Sequence, residues 1–178
     1  MILKVLKSEL SALDMDLEVI DLIEADIYEC TGCGACSLKT PGRCIIEDDM
    51  QDIYRSWVRS QLLVFACPIS FGGYHSRLKK AVDRFMPLKS PFFAIYRGEL
   101  HHQKRYRTAP SLLTIGVLDT GDRSQERLFE RLTERNAINF FSPSSASAAV
   151  IEAEGSDRIM QKISDRLKRL RVGAVSDD

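Results

Sequence analysis

The sequence lacks a surplus of charge of either sign. Its 25 lysine and arginine residues are balanced by 25 aspartate and glutamate residues, for a formal net charge of zero. No global field therefore draws the chain toward nucleic acid or an anionic membrane. It also lacks a long hydrophobic run. The longest, Leu62 to Ile69, is far too short to span a bilayer and is interrupted by Pro68 and Gly72. No cationic, apolar leader opens the chain, so the expected address is cytoplasmic, with no membrane and no nucleic acid as partner. Internal repeats and low-complexity tracts are absent. So are a Walker loop and a serine–histidine–acid arrangement, which leaves hydrolase and nucleoside-triphosphatase functions without support.

Cysteine is scarce outside one segment. Four of the five cysteines, Cys30, Cys33, Cys36 and Cys44, fall within "CTGCGACSLKTPGRC". In a reducing cytosol, clustered thiols serve as metal ligands or redox centres more often than as disulfides. The spacing C-x2-C-x2-C-x7-C, with Gly32, Gly34 and Gly42 as hinges, lets three thiolates wrap a small object while the fourth closes the far side. A 4Fe–4S cube needs this arrangement, and C-x2-C-x2-C is its recurrent nucleus. Zinc sites more often pair two C-x2-C knuckles across a longer span. The spacing favours the cluster; zinc, or thiols that merely pack, remain the alternatives. Cys67 stands apart, at the end of a buried strand before Pro68, and is read as a packing residue.

Hydrophobic periodicity gives an α/β order. A helical stripe runs from Ile2 to Leu13, and the alternating "LEVIDLI", Leu17 to Ile23, predicts a strand. The cysteine loop follows, over residues 30–44. Then come a helix in "EDDMQDIYRSWVRS", a doubly buried strand in "QLLVFACPI" and a helix over Ser76 to Phe85. A long polar-aromatic connection covers Pro87 to Pro110. "SLLTIGVLD" predicts a strand, "DRSQERLFERLTERN" a helix, "SAAVIEA" the last strand and "DRIMQKISDRLKRLRV" the last helix. Alternation of this kind implies a parallel sheet with helices on both faces. Residues 1–172 are read as one domain and 173–178 as a flexible tail.

In "CTGCGAC…GRCIIEDDMQDIY…LLVFACPISFGGYHSRLKKAVDRF" the chain resembles the iron–sulfur flavoproteins within the NAD(P)H-dependent FMN reductase family. The resemblance implies a flavodoxin-like three-layer sandwich, a cluster on the four cysteines, and FMN as second cofactor. It places Pro68, Ile69, Ser70, Phe71 and Gly72 against the flavin ring, and Leu118, Asp119, Thr120 and Gly121 on its other side. It further implies electron exchange with NAD(P)H or a ferredoxin-like partner, and homo-oligomerisation. Members of that family begin with a strand and a phosphate-cradling loop. Here Met1 leads into the helix that should follow that loop. In the flavodoxin order 2-1-3-4-5 the missing strand is the central one. Two functions follow as expectations: a flavin- and cluster-dependent oxidoreductase, or a non-catalytic subunit that binds a cluster or zinc and relays electrons.

Other features have plainer readings. "HHQKRYR", His101 to Arg107, is the densest basic patch and is read as a solvated loop, with cofactor phosphates or an acidic redox partner as its functional alternative. Asp48 and Asp49 are read as helix caps, Asp83 and Arg84 as a local pair at a helix end, and "RLKRLR" as the exposed face of the last helix.

Overall fold

A computed structural model describes residues 1–172. The tail over 173–178 lies outside the described residues. Six α-helices and six strands follow one another: α1 Ile2–Ser11, α2 Ala35–Leu38, α3 Met50–Arg59, β1 Leu62–Ser70, β2 Gly73–Tyr74, α4 Ser76–Asp83, β3 Lys89–Tyr96, β4 Glu99–Lys104, β5 Ser111–Leu118, α5 Arg123–Asn139, β6 Ser145–Ile151 and α6 Ser156–Leu167.

The central sheet has the order β2-β1-β5-β6. β1, β5 and β6 are parallel, with Val64 opposite Leu113 and Leu113 opposite Ala146. Successive side chains of a strand point to opposite faces, so β5 feeds two cores. Leu112 joins Trp57, Phe65, Phe85, Phe129 and Phe140 beneath α3, α4 and α5. Leu113 and Ile115 join Val5, Leu6, Leu10, Ile159 and Ile163 beneath α1 and α6. Full burial of one such side chain contributes roughly 1.5–3 kcal/mol. Helices on both faces of a largely parallel sheet make the flavodoxin-like three-layer sandwich that the strand–helix alternation predicts.

The structure departs from the sequence reading in two places. Leu17 to Ile23 is not a strand: it has no ladder, and Val19, Ile20 and Ile23 are exposed. A strand needs a hydrogen-bonded neighbour. Among the described residues, none lies between this segment and β1. β1 itself pairs on that side only through Ile69 and Ser70, with β2.

The connection from Pro87 to Pro110 is not an irregular loop. It holds the antiparallel hairpin β3–β4, closed by Arg97 and Gly98 at φ of 51° and 79°. Positive φ at both central residues is the condition for the two-residue turn that matches strand twist. The helix boundaries shift less. α6 ends at Leu167, so of "RLKRLR" only Arg166 and Leu167 are helical.

Candidate cofactor site

Two constellations predicted from the sequence occupy different parts of the molecule. The first is the cysteine loop. Gly32, Gly34 and Gly42 all take positive φ, which frees the backbone to reverse direction between the thiols. Gly34 opens the single turn α2, which carries Cys36, and the Gly42 N–H donates to the Cys36 carbonyl at 3.1 Å. All four cysteines are free; Cys30 and Cys33 are exposed, Cys36 and Cys44 half-buried. The Ala35 backbone N–H, followed by the Thr31 hydroxyl, lowers the Cys33 thiol below its usual range. Burial raises that of Cys36, and charge on Cys44 and Cys30 adds to the rise, so these three thiols are electrostatic neighbours. Among the described residues, no group of three or more His, Cys, Asp or Glu side chains is arranged to hold a metal ion. The donor set itself, soft thiols on a glycine-hinged backbone, suits an iron–sulfur core.

The neck of this loop is clamped by Arg84. Its Nη1 donates to the Tyr28 carbonyl at 2.9 Å and to Asp48 Oδ2 at 2.6 Å. Its Nη2 donates to Asp48 Oδ1 at 3.0 Å and to the Ile46 carbonyl at 3.4 Å. One guanidinium thus joins the chain just before Cys30 to the chain just after Cys44. The Tyr28 N–H donates to Asp48 Oδ2 at 3.0 Å, and the Asp26 N–H to Asp49 Oδ2 at 2.8 Å. Tyr54 closes the arrangement by donating to the Arg84 carbonyl at 2.7 Å, and burial pushes its hydroxyl up to about 12.

These contacts correct two readings. Asp48 does accept the Met50 N–H at 3.1 Å, as a cap would, but its main partner is Arg84, while Asp49 ties the incoming arm. Asp83 and Arg84 are not paired with each other, because Asp83 binds Lys79. Sequence spacing alone could not join Asp48 to Arg84. The signal was a charged residue on the apolar side of "AVDRF" that needed a distant partner when buried.

The second constellation sits at the carboxyl ends of β1 and β5. Pro68 lies in register with Val117, so the ends of both strands and the loops that follow them are adjacent. β1 runs on through Ser70, then reverses through Phe71 and Gly72 at φ of 50° and 75° into β2. Phe71 is 97% exposed. Gly72 is packed so closely that a Cβ would lie 2.6 Å from Leu128 Cβ, and its N–H donates to Gln125 Oε1 at 3.3 Å.

Pro68 and Ser70 are exposed and Ile69 is half-buried; Leu118 is buried, and Asp119, Thr120 and Gly121 are exposed. The turn and the loop after β5 lie at the carboxyl ends of adjacent strands, where open α/β sheets bind their ligands. The N-terminus of α5, which follows the β5 loop, is already occupied by the Asp122 carboxylate, which accepts from Ser124 and Gln125 N–H. It therefore offers no cradle for a phosphate.

Cys67 is buried in the core, as its packing role requires, and burial raises its thiol above the usual range. His101 and His102 do not converge on a common ligand: His101 lies beside Glu99, and His102 binds the Ser90 carbonyl at 2.8 Å. No helix among the described residues is long and apolar enough to cross a membrane.

Comparison with known proteins finds relatives of this chain. The chain is 32% identical over 78 residues to an iron–sulfur flavoprotein of Methanocaldococcus jannaschii, across 44% of this chain and 39% of that protein. It is 29% identical over 80 residues to an iron–sulfur flavoprotein of Methanosarcina thermophila, across 45% and 41% respectively. A third, from Archaeoglobus fulgidus, is 30% identical over 79 residues, across 44% and 35%. The matched stretches span well under half the length of these relatives. The sequence profile described as NADPH-dependent FMN reductase matches residues 1–151. With a flavodoxin-like sandwich, a thiol-rich loop and relatives that are named iron–sulfur flavoproteins, the chain belongs to the NADPH-dependent FMN reductase family.

Proposed function

We propose that this chain is an electron-transfer oxidoreductase that carries a 4Fe–4S cluster on Cys30, Cys33, Cys36 and Cys44. FMN lies over the β1 and β5 strand ends, against Pro68, Ile69, Ser70, Phe71 and Gly72 on one side and Leu118, Asp119, Thr120 and Gly121 on the other. The observation that carries this reading is the Arg84 clamp, which joins both arms of the four-thiol loop and fixes its span. A loop with only a packing role has no need of a buried ion pair at its neck, since burying charge is expensive.

When bound, the two cofactors would supply conversion between single electrons and electron pairs. The chain's own residues position them. The Phe71 ring and the backbone of Gly72 present a flat wall, and Leu128 and Gln125 hold that turn in place. Donors would be NAD(P)H or a ferredoxin-like protein, in the cytoplasm. A homo-oligomer would bring one subunit's flavin near another's thiol loop.

Among the described residues, the side of β1 away from β5 is paired only at Ile69 and Ser70. This open edge favours a second reading, in which the chain is a relay or interaction subunit without flavin. Purification without oxygen, followed by a visible spectrum, separates the two. Flavin bands with a broad brown shoulder are expected. A brown sample without flavin would select the relay subunit, and a colourless sample with zinc would rule out the cluster and leave only a zinc-binding interaction subunit.

A further inference from the structure

Three buried side-chain polar atoms among the described residues have no hydrogen-bond partner: Arg84 Nε, Arg105 Nη2 and Ser142 Oγ. Two of the three belong to guanidinium groups that touch the cysteine segment or its neck. A buried donor without an acceptor costs free energy, so each asks what it faces. The charge of Arg84 is already matched by Asp48. Arg105 is different. Its Nε donates to the Lys89 carbonyl at 3.0 Å, and it forms no ion pair among the described residues.

Its guanidinium lies on Gly42, where a Cβ would sit 3.1 Å from both Cζ and Nη1 and 3.4 Å from Nη2. Gly42 is hydrogen-bonded to Cys36 and is two residues from Cys44. An uncompensated cation with a spare N–H is therefore seated on the backbone between two of the four thiols.

We propose that Arg105 sets the reduction potential of the group held by those thiols, through its positive charge and its free N–H donor. The proposal rests on the cluster reading above. A 4Fe–4S core on four thiolates is a net anion that gains one more negative charge when it takes up an electron from a ferredoxin-class donor. No bond breaks and no proton moves. Hydrogen bonds to the sulfurs and local charge are recognised determinants of such potentials. A fixed cation at Gly42 opposes the added charge and makes reduction easier. Glycine at position 42 is then required twice, for its φ of 88° and because any side chain would push the guanidinium away.

The test is a dithionite titration under argon, followed by electron paramagnetic resonance, on the full chain and on Arg105→Gln and Arg105→Lys. Arg105→Gln is expected to make reduction at least about tenfold less favourable, a downward shift of about 59 mV for a one-electron couple. Arg105→Lys keeps the charge but not the flat fork, so its shift is downward and smaller. If Arg105→Gln fails to retain iron, Arg105→Lys decides alone: a lowered potential supports the assignment and an unchanged one overturns it. Wild-type potentials in variants with full iron and sulfide overturn it as well. A wild-type chain without iron or sulfide would instead sink the cluster reading.

Discussion

The Arg84 and Asp48 side chains are 1% and 0% exposed, and each is the other's charge partner. Burial alone would raise the Asp48 carboxyl. The Arg84 guanidinium, with the Tyr28 and Met50 N–H groups, outweighs it and holds the group below the ordinary carboxylate range. A depressed folded-state value means that the stabilisation is complete above the unfolded-state value, about 3.9. It is lost as pH falls through the lower, folded one. Thermal unfolding of the wild type should therefore lose stability on acidification below about pH 4. Asp48→Asn should be destabilised by about 3–5 kcal/mol at neutral pH, because it leaves Arg84 buried and unpaired. The variant should also show a shallower acid-dependent slope, the remainder coming from the other depressed carboxyls such as Glu99 and Glu154. Melting temperatures of both proteins from pH 3 to about 7 check the pair, and an unchanged slope in the variant would refute it. The pair was not legible in the sequence, because 35 residues separate its members and each has a cheaper local reading. The thiols were legible, since their spacing is itself the chemical requirement.

At the scale of elements, buried strands announced themselves and half-paired ones did not. "SLLTIGVLD" is apolar on both faces because both are covered, and β5 falls on it. β1 falls on "QLLVFACPI" but is not doubly buried, since it buries Phe65 and Cys67 and leaves Ala66 and Pro68 exposed. "LEVIDLI" alternates and is rich in branched apolar residues, yet a strand is defined by its neighbour, which composition does not report. The hairpin β3–β4 was hidden for the opposite reason. β3 is largely apolar but exposed and β4 is polar, so neither shows a buried face, and only the Arg97–Gly98 turn marked the hairpin.

Close packing between elements yields a sharper expectation. A Cβ at Gly116 would lie 2.5 Å from Ile69 Cδ1, so β5 admits the β1 side chain only because position 116 is glycine. Gly116→Ala should destabilise by roughly 1–3 kcal/mol through overpacking. Ile69→Val, which shortens the opposing chain, should recover part of that loss in the double variant. Urea titrations of the four proteins measure the coupling; strictly additive effects would show that the contact is not what limits position 116.

For the molecule as a whole, the sandwich separates two tasks. One face of the sheet, under α3 and α4, anchors the thiol loop through Tyr54 and Arg84, while in the proposed function the strand ends would present Phe71 and the β5 loop to the flavin. The alternating pattern of strand and helix made this architecture readable before any coordinates. The anchor of the thiol loop was not, because it runs through one buried arginine and a partner far away in the sequence. The proposed function depends on the four thiols sharing one inorganic core. The direct measurement is iron, acid-labile sulfide and zinc per chain after purification without oxygen. The account predicts about four iron and four sulfide, no stoichiometric zinc, and loss of both iron and sulfide in Cys33→Ser. A reduced, oxygen-protected chain that contains neither iron nor sulfide would contradict it.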